Sequence, residues 1–440
     1  MSKLAFLGGA PIRKSPFPAY IPHGSAEREA ALRVLDSNIL SGYIGAWHPA
    51  FYGGPEVKAF EAEWAQSMGA SFAIAVNSCT SGLYAAVAAA QVGPGDEVIV
   101  SPYTMAASVT AVVVNNAVPV FADIDPVTYC LSPESIIEKI TERTKAIVVV
   151  HIFGQAADMD AIMAIAEPRG IIVIEDCAQA PLCTYKGRPV GLLGHMGVFS
   201  LNYHKHIHTG EGGMVTTQNP HFAERVQLVR NHAEAVVGGK GVDDIVNMVG
   251  YNYRMCELEA AIGRCQLSSA ATLIAERKRN VQIFERMISG IDGIQAPQIG
   301  TGGDHVYYVH ALDFDAEKIG VDRNSFVAAL KAELAPTTLR EGEGPLVGMG
   351  YVKPLYYLPM FQQEIAYGRH GCPFHCPHYK GAVDYRPGLC PNAEQAHFQR
   401  VITHEYMRPP MTEDDMRDVA DALAKVVEHV TDIVDAAKVA

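Results

Sequence analysis

A single lysine, Lys205, lies in the stretch FSLNYHKHIHTGEGGMV (199–215), among His204, His206 and His208 and just before Gly210, Gly212 and Gly213. Glycines let a backbone turn tightly and approach a flat or bulky group. A lysine that is partly desolvated or close to other cations loses its proton more readily. Its free amine can then attack a carbonyl to form a Schiff base. The plainer alternative is a surface lysine on a glycine-rich loop. A second element, VIEDCAQA (173–180), places Glu175 and Asp176 at the end of an apolar strand. Ligands of open α/β sheets bind beyond the carboxyl ends of strands. An acid there needs a cation or a polar partner, and a protonated pyridine nitrogen is one such partner; a helix cap or surface turn is the alternative. A third element, NSCTSGL (77–83), joins a strand to a helix. The free N–H groups of a helix start attract anions. A phosphate there would use the amides near Cys79 and Thr80 and the Thr80 hydroxyl, unless the segment is an ordinary Ser/Thr cap. Cys79 itself reads as a small residue compatible with apolar surroundings, because no evident Cys–His–Asn set accompanies it.

A Schiff-base lysine, a strand-end acid and a phosphate cradle are together what pyridoxal 5′-phosphate requires. Its aldehyde needs the lysine, its ring nitrogen an anion, and its phosphate a helix N-terminus.

The elements that position these residues follow from hydrophobic patterning. Strand-sized apolar runs occur at 72–78, 96–104, 118–125, 145–154 and 171–180, separated by helix-prone stretches such as 81–93 and the segment DMDAIMAIAEPRG. Such alternation indicates βαβ units and a parallel sheet buried on both faces. A helix is expected from near Glu56, with Val57, Phe60 and Trp64 on its core face. Residues 1–50 read as irregular. After about residue 290 the pattern changes: HVYYVHALDF (305–314) reads as a strand, SFVAALKAEL as a helix, and the chain closes on an amphipathic helix opened by a Thr cap and acidic residues. The fold class expected is α/β. Residues 1–50 would pack on the large domain and the active-site rim, 51–290 would form the large domain with a mostly parallel central sheet, and 291–440 a smaller α+β domain.

Composition excludes several classes. The 440 residues carry 35 Lys and Arg against 48 Asp and Glu, a net charge of −13. Phosphate neutralisation needs clustered cations, so no nucleic acid is expected as partner, nor is a membrane. The N-terminal apolar stretch is broken by glycines and followed by Pro, Arg and Lys, unlike a secretory signal. No apolar run reaches a bilayer-spanning length, and a cytoplasmic location is expected. Nine cysteines, an odd number over a long chain, read as reduced thiols. No G-x-G-x-x-G follows an early strand, which discounts a nicotinamide dehydrogenase.

With these motifs in place, the chain resembles the DegT/DnrJ/EryC1/StrS family of sugar aminotransferases, which are fold type I pyridoxal-phosphate enzymes. The resemblance covers nearly the whole chain. It runs in order through LAFLGGAPIRKSPFPAY, GPGDEVIVSPYTMAAS, VFADIDPVTYCLSPESIIEKITERTKAIVVVHIFGQAADMDAI, VIEDCAQA, GVFSLNYHKHIHTGEGGMVTT and VGYNYRMCELEAAIGRCQL. The resemblance implies that Lys205 forms the Schiff base and shuttles a proton between substrate and cofactor. It implies that Asp176 pairs with the pyridinium nitrogen and that Gln179, where many relatives carry His, lies near the ring hydroxyl. Cys79, Thr80 and Ser200 would hold the phosphate, and Met105 would stand where relatives often place an aromatic over the ring. A Met also packs on a π-face. Asn252 would reach the phosphate of the neighbouring subunit, because family active sites form at a homodimer interface. The acceptor pocket would draw on Tyr43, His305, Tyr308, Tyr356 and Tyr357, although half of these aromatics could equally belong to the core.

The implied reaction moves an amino group from glutamate or glutamine to a keto-sugar or cyclitol ketone, ping-pong through pyridoxamine 5′-phosphate. Dehydratase relatives replace the lysine with His, so Lys205 favours transamination. A sensor that binds the cofactor or a sugar without catalysis is the further alternative. The histidines beside Lys205 could lower its pKa, contact substrate, or simply pack. One feature stays apart. HGCPFHCPHYKGAVDYRPGLC (370–390) offers His and Cys ligands, but Cys372 and Cys376 have no second close pair. No metal is expected, and a rigid loop shaping the active-site rim is favoured over a zinc site.

Overall fold

A computed structural model describes residues 3–439. Seven strands form the main sheet: β1 (Phe72–Val76), β2 (Glu97–Val100), β3 (Val118–Phe121), β4 (Thr144–Val150), β5 (Ile172–Asp176), β8 (Met196–Ser200) and β9 (Gly213–Thr217), in the order β1-β9-β8-β5-β4-β2-β3. A two-stranded hairpin, β6 (Thr184–Tyr185) and β7 (Arg188–Pro189), lies between β5 and β8. Pairing is parallel from β8 to β3 and antiparallel where β9 joins β8 and β1. The sheet is thus α/β and mostly parallel. Its middle strands are buried on both faces, which is why AIVVV in β4 is continuously apolar.

Register sets the site. Val150 of β4 lies beside Asp176 of β5, and Asp176 beside Val198 of β8. Three carboxyl ends, at Val150, Asp176 and Ser200, therefore open into one cavity. The helix α3 (Cys79–Ala89), in the order α1 (Ser25–Ser37), α2 (Pro55–Met68), α3 and α4 (Ala107–Val114), begins at the same end. Gly82 lets α3 lie close on the sheet, since a Cβ there would come within 2.7 Å of Val198. The Ser78 hydroxyl caps α3 by accepting from Ser81 N–H at 3.0 Å.

A second sheet, β10 (Ile294–Gln295), β11 (His310–Phe314), β12 (Val347–Met349) and β13 (Val401–His404), is antiparallel in the order β10-β11-β13-β12. It has its own core, with Leu312, Phe326, Ile402, Met416 and Val426. The 32-residue helix Glu257–Ile288 starts in the first unit and delivers Phe284 and Ile288 to this second core.

The structure alters several expectations. Residues 25–37 are helical rather than irregular, with Glu27, Ala30 and Val34 on the buried side and Asn38 closing the helix in the left-handed region. Leu4 and Phe17 are buried in the C-terminal core, so the start of the chain packs on the second unit. Within 305–314 only His310–Phe314 is strand. Val306 and Tyr308 instead donate to Gly154 and Phe153 of the first unit, and this carries Tyr308 to the cavity. The 370–390 segment does not shape the cavity rim. Tyr385 donates to the Pro119 carbonyl at 2.9 Å and Tyr379 to Glu97 at 2.9 Å, covering the open edge of β3. A proline on an edge strand leaves no ladder donor there, and the loop shields the remaining acceptor.

Candidate active site

The cavity at the strand ends has a volume of about 320 Å³. Cys79, Thr80, Met105, Asp176, Gln179, Ser200, Lys205 and Tyr308, all singled out from the sequence, line it. Each arrives by a local rule. Lys205 rides on a loop that leaves β8 and returns to β9, closed by a bridge between Asn202 and Gly210 and by Tyr203 N–H donating to Gly210 at 3.0 Å. Gly210 and Gly212 hold positive φ, which the tight return requires. The Lys205 amine stands 4.1 Å from the Tyr308 ring centroid. This ring supports the amine through a cation–π contact when it is charged.

Asp176 is buried. Its Oδ2 accepts from the Ser108 hydroxyl at 2.7 Å and its Oδ1 from Ala178 N–H at 3.1 Å. Burial pushes its carboxyl above the ordinary range, while Ser108, Ala178 and the Lys205 charge pull it back. The side chain is thus a carboxyl held in a dry place, where a cation would favour its charged form. Gln179 is fixed on both ends. Its Oε1 accepts from Phe153 N–H at 2.6 Å and its Nε2 donates to the Tyr351 hydroxyl at 3.0 Å. Because Phe153 can only donate, the amide cannot be turned over.

At the start of α3, the N–H groups of Cys79 and Thr80 have no preceding helical carbonyl to bond. The Cys79 thiol is buried, and burial raises its pKa well above that of a free thiol, so it is neither a thiolate nor a nucleophile. The Met105 side chain is exposed at the cavity and its sulfur accepts from Ala107 N–H at 3.0 Å. A strand-end carboxyl, a lysine amine, and a helix start facing one cavity fit pyridoxal phosphate in the chemistry of their polar groups.

Other sequence candidates lie elsewhere in the chain. Tyr356 is buried and donates to Glu394 at 2.6 Å, so its hydroxyl is already used. Tyr357 sits against Phe398 with Lys353 over its ring. His305 is buried, stacks on Tyr307 and accepts from Tyr307 N–H. Tyr43 is packed against Gly53 with Arg230 5.0 Å from its ring. None of these four lines the cavity. Asn252 is exposed outside it, accepting from Arg254 at 2.7 Å. The histidines beside Lys205 do not supply positive charge: burial lowers His204, His206 and His208, the last to about 4. His206 packs instead, bonding the Val306 carbonyl at 2.8 Å.

Residues absent from the sequence reading complete the site. Ser108 and Tyr351 are the main ones, along with His151, whose Nε2 meets Glu175 at 2.9 Å. Glu175, Cys177 and His151 form the one His/Cys/acid group close enough to resemble a metal site among the described residues. However, Glu175 also accepts from Gly191, Leu193 and Gly194, and His151 Nδ1 from Ala157. Their ligand atoms are taken, and the group acts as a buried brace behind Asp176. No helix among the described residues is long and apolar enough to cross a membrane.

A sequence profile described as the DegT/DnrJ/EryC1/StrS aminotransferase family matches residues 48–424. The chain is 33% identical over 442 residues to an L-glutamine:2-deoxy-scyllo-inosose aminotransferase of Streptomyces lividus, covering 98% of this chain and 99% of that protein. It is 35% identical over 311 residues to a GDP-perosamine synthase of Caulobacter vibrioides, covering 70% and 79%. Among solved structures, an aminotransferase from Psychrobacter cryohalolentis superposes with a TM-score of 0.79 at 29% identity, covering 94% of this chain and all of that one.

Proposed function

The chain belongs to the DegT/DnrJ/EryC1/StrS aminotransferase family and is a pyridoxal-phosphate-dependent aminotransferase, and from that premise we propose that it moves the amino group of glutamine or glutamate to a ketone on a sugar or cyclitol, by ping-pong kinetics. One observation carries the reading: Lys205, Asp176 and the start of α3 converge on a single cavity of about 320 Å³.

Bound pyridoxal phosphate supplies an aldehyde that captures amines and a pyridine ring that takes up electron density. Asp176 holds the ring nitrogen protonated, its own carboxylate fixed by Ser108 and Ala178. The amides of Cys79 and Thr80, with Ser200, hold the phosphate. Gln179 offers an N–H beside the ring hydroxyl, and Met105 packs on the ring face. The Lys205 amine carries the proton between the carbon that loses or gains nitrogen and the cofactor. Asn252 reaches the phosphate held by the neighbouring subunit of a homodimer.

The test is a set of incubations with L-glutamine or L-glutamate and a panel of ketones, 2-deoxy-scyllo-inosose and nucleotide-linked keto-sugars among them. Mass spectrometry of the products should show replacement of a carbonyl oxygen by an amino group, with the keto acid of the donor released. Loss of water without nitrogen gain would instead mark a dehydratase. No product from any ketone would contradict the reading.

A further inference from the structure

A second cavity, of about 290 Å³, lies where the N-terminal segment and the C-terminal unit meet the Lys205 loop. His204, one residue before Lys205, lines both cavities. Leu339, Leu346 and Met411 give the second one apolar walls, and Arg340, Glu405 and Arg408 stand among them.

The charges around it do not balance. Arg340 and Arg408 converge on one oxygen of Glu405, at 2.7 and 2.5 Å. Arg277 is buried behind them, 5.6 Å over the Tyr20 ring, donating to carbonyl oxygens (Tyr307 at 3.0 Å, Tyr308 at 3.5 Å) and leaving its Nε and Nη2 without a hydrogen-bond partner. Burial and the Arg408 charge lower its pKa to about 10. Three guanidinium groups therefore share one inner carboxylate, Glu405. Glu343, which also pairs with Arg340, lies toward solvent with 45% of its side chain exposed. The neighbouring histidines add no negative charge. Unpaired charge away from water is costly, and an anion would relieve it.

Polar atoms around the same cavity also lack partners. Arg408 Nε, Thr337 Oγ1 and His208 Nδ1 make no hydrogen bond, and each of these residues is less than a tenth exposed. Buried polar atoms are ordinarily satisfied, so three at one cavity call for an explanation. Arginine is suited to oxyanions because its planar fork matches carboxylate and phosphoryl geometry.

We propose that this second cavity is a subsite for an oxyanion, a carboxylate or a phosphoryl group, carried by the reactant whose reacting end lies at Lys205. It rests on the assignment of Lys205 as the reacting centre. Two sources share this chemistry: a carboxylate of the amino donor and the phosphoryl groups of a nucleotide-linked acceptor.

The experiment uses the cofactor-loaded protein, in which the phosphate cradle of α3 is already filled. Glutarate and GDP are titrated calorimetrically into the wild type and into Arg408→Gln, Arg340→Gln and Thr337→Val. The expected result is saturable one-to-one binding of at least one probe, weakened tenfold or more by either arginine change and about threefold by Thr337→Val. Glutarate binding together with a raised KM for L-glutamine would identify the donor carboxylate. GDP binding with an unchanged KM for L-glutamine would identify the nucleotide. Should Arg408→Gln fail to fold, the other two variants carry the test. Absence of saturable binding of either probe to the wild type, or wild-type affinity in the folded variants, would overturn the proposal. Failure of the functional reading would appear separately, as loss of the cofactor absorbance or of amino transfer.

Discussion

At the scale of the residue, the site turns on a buried carboxylate kept ready for a cation. Ser108 donates to Asp176 at 2.7 Å, and hydrogen bonds to charged groups contribute about 1.5–3 kcal/mol. Ser108→Ala should therefore weaken cofactor affinity by about tenfold or more, read from an absorbance titration. The raised Asp176 carboxyl also fixes a pH effect. A group whose folded pKa lies above its unfolded value stabilises the fold below the unfolded pKa and loses that contribution as pH rises through the folded one. Cofactor-free Asp176→Asn should thus melt above the wild type at neutral pH, with the gap closing as the medium becomes acidic. A gap that widens in acid would contradict this. The residues legible from sequence were those whose role follows from an adjacent strand end or helix start: Lys205, Asp176, Cys79 and Thr80 all reach the cavity. Ser108 and Tyr351 come from α4 and from the C-terminal unit, and no local pattern announces them. Of the aromatics proposed for the acceptor pocket, Tyr308 lines the cavity and Tyr43, Tyr356 and Tyr357 do not. A tyrosine suits a sugar pocket and a core equally, and in Tyr356 the hydroxyl went to Glu394.

At the scale of the element, the positions of β5 and β8 decide where Asp176 and Lys205 meet. Gly197, in the middle of β8, is packed against the Gly191 backbone, so a Cβ there would overlap main-chain atoms that cannot move aside singly. Gly197→Ala should destabilise the protein by about 3 kcal/mol, the upper range for overpacking, lowering the urea midpoint. The five apolar runs from 72 to 180 each contain a strand: β2 to β5 pair in parallel, where β-branched runs fit a sheet covered on both faces, whereas β1 pairs antiparallel with β9 alone. The two antiparallel edge pairings were not legible, since local pattern does not carry strand direction. Helix α1 is not legible in the sequence, because its few buried positions, Glu27, Ala30 and Val34, sit among charged neighbours. The 370–390 segment looked like a rim or metal loop by composition alone. Its place is set by Tyr379 and Tyr385 reaching β2 and β3, contacts far away in sequence.

At the scale of the whole molecule, a buried ion pair of the C-terminal unit helps to anchor the N-terminal segment, beside the Arg13 pairs with Asp415 and Asp418. Lys425 meets Glu333 at 2.8 Å with both side chains fully buried, and it also donates to the Ala10 carbonyl at 2.8 Å. Glu333 in turn accepts from Ala5 and Ile12 N–H. Removing one partner of such a pair leaves a buried charge, at a cost of about 3–5 kcal/mol. Lys425→Met should lower the urea midpoint accordingly. It should do so more than Arg417→Met, whose partners Glu413 and Asp414 are exposed. This pairing could not be read from sequence, because Glu333 and Lys425 are separated by 92 positions. The central claim, that Lys205 is the group that captures the cofactor and carries out transfer, is tested most directly by one spectrum taken twice. Wild type and Lys205→Ala are each loaded with pyridoxal phosphate and freed of excess, and L-glutamine is then added. The wild type should show a visible absorbance band that shifts with the donor, and Lys205→Ala should lack the band and nearly all turnover. A Lys205→Ala protein with the same band and full amino transfer would contradict the account.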